Sequence, residues 1–218
     1  MLKLVPNILT LGRFVLTVIF LIMILLSPPR YAQGELPFPD FLDIAFILFV
    51  IAGLTDMVDG TIARKLGVAS KFGRMMDPLA DKALVCGSFI CFAIIGQPKL
   101  FGLPDTTMSI IQWAVAGIII LREAYVTILR HIAEAKGINF AATVSGKIKM
   151  FLQSFAIGTV VIRMAHVQTA TWGYWFTTIT FAIMLAVTVF SGIRATQRGS
   201  YKELASALSQ NKISDTTA

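Results

Sequence analysis

Long apolar runs alternate along the chain with short polar breaks, and the runs have membrane-crossing length. A helix needs roughly 20 mostly apolar residues to cross a bilayer. That length selects six segments: Asn7 to Leu26, Phe41 to Ile62, Pro78 to Ile95, Ser109 to Arg130, Ser145 to Met164 and Tyr174 to Arg194. The breaks between them carry turn chemistry, as in Ser27-Pro28-Pro29, Gly67 to Gly73, Gln97-Pro98, Gly137-Ile138-Asn139 and Thr171-Trp172-Gly173. The pattern predicts an all-α, polytopic membrane protein with six transmembrane helices. Residues 1–198 read as one membrane domain without internal repeats, and 199–218 as a polar tail, a short helix followed by disorder. The apolar run behind Lys3 is expected to stay as a span rather than be cleaved as a leader. It is long enough to cross, contains Arg13, and lacks a small-residue cleavage site before Pro28 and Pro29.

Composition agrees with this class. Hydrophobic residues make up 56% of the 218 residues, charged residues 14%, and mean hydropathy is +0.76, which an ordinary soluble domain does not show. The net charge of +7 changes the picture through its placement. Lysine and arginine sit at the ends of apolar runs rather than on a soluble basic face, which favours anionic lipid headgroups and phosphorylated substrates over nucleic acid. With six spans, every lysine and arginine falls on one side except Arg30, Lys99 and Arg163. Positive charge is retained on the cytoplasmic side, so both termini are expected there. Cys86 and Cys91 share one apolar segment and read as packing residues.

The chemistry concentrates in Thr55-Asp56-Met57-Val58-Asp59-Gly60-Thr61-Ile62-Ala63-Arg64 and Gly73-Arg74-Met75-Met76-Asp77-Pro78-Leu79-Ala80-Asp81-Lys82. On a helix, Asp56 with Asp59 and Asp77 with Asp81 each project from one face. Four carboxylates at close quarters repel one another and are costly near hydrocarbon, so divalent cations are the natural compensation, and hard oxygen donors favour Mg²⁺, Mn²⁺ or Ca²⁺. Taken singly, each acid could instead pair with Arg64, Lys71, Arg74 or Lys82 at a membrane boundary. Gly60, Ala63 and Gly73 are small where a ligand approaches the backbone, and Arg64 can grip a phosphate. Pro78 suits a first helical turn, with Asp77 as cap.

At these residues the sequence resembles the CDP-alcohol phosphatidyltransferases, whose signature reads D-x2-D-G-x2-A-R-x8-G-x3-D-x3-D and is matched at Asp56, Asp59, Gly60, Ala63, Arg64, Gly73, Asp77 and Asp81. The resemblance implies a two-metal site of Mg²⁺ or Mn²⁺ on Asp56, Asp59, Asp77 and Asp81. It makes Asp81 also the general base, and it places the CDP moiety against Asn7, Gly60, Ala63, Arg64 and Gly73. It also implies a homodimer in the bacterial cytoplasmic membrane with its active site facing the cytoplasm.

Two further stretches resemble the bacterial phosphatidylglycerophosphate synthases of that family. One is the opening Pro6-Asn7-Ile8-Leu9-Thr10-Leu11-Gly12-Arg13. An arginine inside a span is costly, so Arg13 is expected to face the active cavity or a carboxylate there, the alternative being that it snorkels to the headgroups. The other pairs Arg122, Glu123, Leu129 and Arg130 with Gly146, Lys147 and Lys149. A phosphorylated acceptor needs a cationic pocket apart from the metals, for which Arg13, Arg122, Arg130, Lys147 and Lys149 are the candidates, with Glu123 orienting Arg122. The expected reaction joins CDP-diacylglycerol and sn-glycerol 3-phosphate, with membrane lipids around the site. Serine, inositol phosphate or phosphatidylglycerol are alternative acceptors, and a divalent-cation transporter is the alternative of another class. His131 and His166 are assigned no catalytic role. Trp172 and Trp175 read as lipid-facing or packing groups near a boundary.

Overall fold

Backbone amides inside a bilayer find no water, so each must bond within its own segment, and helices meet that demand. The structure, a computed structural model, describes the backbone of residues 5–27, 39–66, 71–99, 103–135, 144–167 and 170–216, and the side chains of 11–27, 41–55, 80–99, 103–133, 135, 146–167 and 170–197. The described residues form six helices and no strand: α1 (Val5–Leu26), α2 (Pro39–Leu66), α3 (Lys71–Ile94), α4 (Asp105–Ala135), α5 (Val144–His166) and α6 (Thr171–Thr216). By length and apolar composition, Asp105–Ala133, Gly146–His166 and Thr171–Gln197 can cross a membrane. Leu11–Leu26 and Phe41–Thr55 are shorter apolar helices among the described residues.

The helices close into a ring. Contacts run from α1 to α2, α2 to α5, α5 to α6, α6 to α4, α4 to α3 and α3 back to α1, with α3 also touching α5. The interior is filled by Phe20, Phe49, Phe92, Ile119, Ile157 and Met184 among others. The outer faces are apolar as well: Ile22, Ile47, Ile110, Leu121, Phe151 and Ile179 are exposed. A water-soluble bundle would not carry so much exposed apolar surface, whereas a lipid-facing one must. Trp172 and Trp175 are exposed at the start of α6, where an interfacial belt is expected.

Close packing of α1 on α3 passes over Gly87, where an added Cβ would lie 2.7 Å from Leu21 Cδ1. Small residues at such crossings let membrane helices approach. Helix α3 ends in a left-handed glycine, Gly96 at φ 67. The Gly96 amide donates to Ala93 O (3.4 Å) and the Gln97 amide to Phe92 O (2.9 Å), so two otherwise orphaned carbonyls are satisfied. The following turn is read by buried side chains: Gln112 Nε2 donates to Pro98 O (3.2 Å) and Arg163 Nη2 to Lys99 O (2.5 Å).

Two expectations need correction. Pro78 does not open a helix capped by Asp77, because α3 already starts at Lys71. Proline lacks only one backbone donor, and membrane helices tolerate it inside. The tail is not a short separate helix leading to disorder. Helix α6 continues for 46 residues to Thr216, through a stretch after Gly199 that holds neither glycine nor proline and is rich in helix formers such as Lys202, Glu203, Leu204 and Ala205.

Candidate active site

Among the described residues, two buried charged clusters join the helices. In the first, Arg13 of α1 is buried at 2% exposure and its Nη1 donates to Asp81 Oδ1 of α3 at 3.0 Å, the carboxylate side being 32% exposed. The sequence placed Arg13 toward the active cavity or a carboxylate there. The partner is Asp81, an acid of the signature. The pairing follows from the fold, since α1 packs on both α2 and α3, the two helices that carry the acids.

The second cluster joins three helices. Arg122 and Glu123 lie on α4, Lys149 on α5 and Ser191 on α6. Arg122 Nη1 donates to Glu123 Oε1 at 3.1 Å, Lys149 Nζ contacts the same oxygen, and Arg122 Nη2 donates to Ser191 Oγ at 2.9 Å. All three charged groups are largely buried. One carboxylate therefore serves two cations, and Arg122 Nε is buried without a hydrogen-bond partner in the structure. An excess positive charge in an apolar bundle is costly unless an anion completes it. That is what a pocket for a phosphate requires. The second cluster lies beside α3, because Cys86, on the same helix as Asp81, is within electrostatic range of Glu123 and Lys149.

Of the other expected site residues, Lys147 and Arg130 are exposed and join neither cluster. Asp56, Asp59, Gly60, Ala63 and Arg64 fall on α2 and Gly73 and Asp77 on α3, with Asn7 on α1, but their side chains lie outside the described residues. The continuous α3 helix keeps Asp77 and Asp81 one turn apart on one face. A cation on this set is compatible with the part that is described, since Asp81 offers hard carboxylate oxygens partly open to solvent.

Two features escaped the sequence reading. Ser191 is one of several hydroxyls in the sixth apolar run, which also holds Thr177, Thr178, Thr180 and Thr188, so its polarity did not single it out. His166, on α5, meets Asp43 of α2 at 2.7 Å, a carboxylate partner far away in the chain. Both side chains are exposed.

The comparisons with known proteins converge. The family model described as CDP-alcohol phosphatidyltransferase matches residues 3–194. A "Probable phosphatidylglycerophosphate synthase" of Mycobacterium tuberculosis is 33% identical over 190 residues, covering 86% of this chain and 77% of the relative. A "CDP-diacylglycerol–glycerol-3-phosphate 3-phosphatidyltransferase" of Bacillus subtilis is 39% identical over 161 residues, 72% of this chain and 76% of the relative. A protein of the same name from Rickettsia bellii is 31% identical over 158 residues, 72% of this chain and 74% of the relative.

Proposed function

The chain belongs to the CDP-alcohol phosphatidyltransferase family, and from that premise we propose that it transfers the phosphatidyl group of CDP-diacylglycerol to the primary hydroxyl of sn-glycerol 3-phosphate, giving phosphatidylglycerol phosphate and CMP. The names of the relatives support this acceptor over serine, inositol phosphate or phosphatidylglycerol. They lend no support to a divalent-cation transporter. The observation that carries the reading is the buried Arg122–Glu123–Lys149 cluster, whose surplus positive charge suits a phosphorylated acceptor.

In this reading Asp81 accepts the proton of the primary hydroxyl, and the hydroxyl oxygen bonds to the β-phosphorus. The bond from that phosphorus to the bridging oxygen breaks, and CMP leaves. Arg13 holds the Asp81 carboxylate from α1. Asn7, Gly60, Ala63, Arg64 and Gly73 receive the CDP moiety. Arg122 and Lys149 hold the acceptor phosphate, while Arg130 and Lys147 add positive charge around it. Asp56, Asp59, Asp77 and Asp81 would hold two Mg²⁺ or Mn²⁺ ions, which when bound offset the charge of the pyrophosphate. The distribution of lysine and arginine supports six spans in a bacterial cytoplasmic membrane, with termini and site on the cytoplasmic side. A homodimer rests on family resemblance.

The test is CMP release from CDP-diacylglycerol on addition of sn-glycerol 3-phosphate, with and without Mg²⁺. Release should depend on both. Asp81→Asn should slow it about 10²- to 10⁴-fold, the usual contribution of a positioned base. Unchanged turnover in Asp81→Asn would remove the base assignment, and product with another alcohol but not with glycerol 3-phosphate would remove the acceptor.

A further inference from the structure

We propose that Ser191 of α6 is a positioning residue that fixes the plane of the Arg122 guanidinium for the acceptor's phosphate; the inference rests on the functional reading above. Ser191 is buried, at 3% exposure. Its hydroxyl carries one proton, and that proton goes to Thr188 O, 2.9 Å away on the same helix. The oxygen is thereby committed as an acceptor, and Arg122 Nη2 donates to it at 2.9 Å.

The geometry explains why this contact matters beyond packing. Glu123 Oε1 is shared between Arg122 Nη1 and Lys149 Nζ, so the carboxylate holds the guanidinium at one nitrogen only. A planar group held at one point can swivel about it. A second contact at Nη2, from a different helix, sets the plane. Paired hydrogen bonding to phosphate depends on that plane in a way that a point charge does not. Helix α6 is itself tied to α4 nearby, where Tyr125 Oη and Thr196 Oγ1 lie 3.1 Å apart. Ser191 is thus presented by a braced helix rather than by a loop.

The experiment is steady-state CMP release by the full-length protein in detergent micelles, with CDP-dioleoylglycerol and sn-glycerol 3-phosphate each varied. Ser191→Ala should raise KM for glycerol 3-phosphate about tenfold, the scale of one hydrogen bond to a charged group, with kcat and KM for CDP-dioleoylglycerol little changed. Ser191→Thr, which keeps the oxygen, should restore the parent KM to within a few-fold. Because Ser191 acts through Arg122, adding Ser191→Ala to Arg122→Lys should raise KM little further.

An equal effect of Ser191→Ala on both substrates, an unmoved KM for glycerol 3-phosphate, or full additivity with Arg122→Lys would overturn the proposal while leaving the activity intact. A parent protein that releases no CMP with glycerol 3-phosphate would instead remove the functional reading, and this inference with it. Should Ser191→Ala fail to accumulate, Ser191→Cys, whose sulfur is a weak acceptor, is compared with Ser191→Thr. A higher KM for the cysteine form supports the proposal, and equal values overturn it.

Discussion

Arg13 shows how far a single residue can be read. Its position inside an apolar run, in register with Asn7 and Thr10, already pointed inward, because a guanidinium facing lipid is costly. The identity of its partner required the fold, since Asp81 lies 68 positions away. Breaking a buried ion pair by removing one member costs about 3 to 5 kcal/mol. The partly exposed Asp81 side puts Arg13→Ala near the lower figure. Thermal unfolding of the purified protein should show that loss together with loss of CMP release. Replacing both members by leucine should recover part of the stability lost in Arg13→Ala, because neither charge of this pair is then left facing an apolar side chain, yet restore no activity. Recovery of activity in the double variant would show the pair to be structural only. The acid signature was legible because its chemistry fixes residue type and spacing within a short stretch. Ser191 with Arg122, and His166 with Asp43, were not, because each contact joins residues far apart in sequence that no periodicity connects. Asp43→Asn, at an exposed pair far from Asp81, should change stability by less than about 1 kcal/mol and leave CMP release unaltered.

At the level of helices, apolar length and turn residues located all six elements, while their ends moved. Helix α4 runs from Asp105 to Ala135 and α2 from Pro39 to Leu66, each extending past the apolar run that revealed it. Hydropathy detects what lipid requires, and a helix continues into water for as long as its own hydrogen bonds and residue propensities support it. Proline misled the reading at α3, because a residue that favours first turns is also tolerated within membrane helices. The crossing of α1 over α3 provides a test of how helix placement serves the site. A Cβ at Gly87 already meets Leu21, so Gly87→Ala needs only a small shift of a flexible side-chain end. Gly87→Leu must push the helices apart, at about 1 to 3 kcal/mol, and with them Arg13 from Asp81. The expected outcome is mild loss of activity in the alanine form and severe loss in the leucine form, both measured at equal membrane abundance. Equal activities would mean that this crossing does not set the distance between the paired charges.

For the molecule as a whole, the sequence revealed the class but not the order of the ring. In water, the inward face of a helix is the apolar one; in lipid both faces are apolar, and the contrast that would assign neighbours disappears. Ile22 faces outward and Ile24 is fully buried on the same short helix, and nothing in their chemistry separates them. Charge asymmetry is the signal that does survive at this scale, and it makes a topological prediction. In a background lacking Cys86 and Cys91, a cysteine at Lys99 should react with a membrane-impermeant maleimide on intact cells, and one at Lys202 should react only after permeabilisation. Labelling of both from outside would require an odd number of spans. Helix α6 bears on the same question. Its 46 residues at 1.5 Å per residue make about 69 Å, more than twice the roughly 30 Å hydrocarbon layer. The helix that presents Ser191 therefore continues into the aqueous phase as a lever arm. A small change in its tilt within the bilayer becomes a larger sweep at its far end, so a fluorophore placed there would report movements of α6 too slight to see beside the substrate.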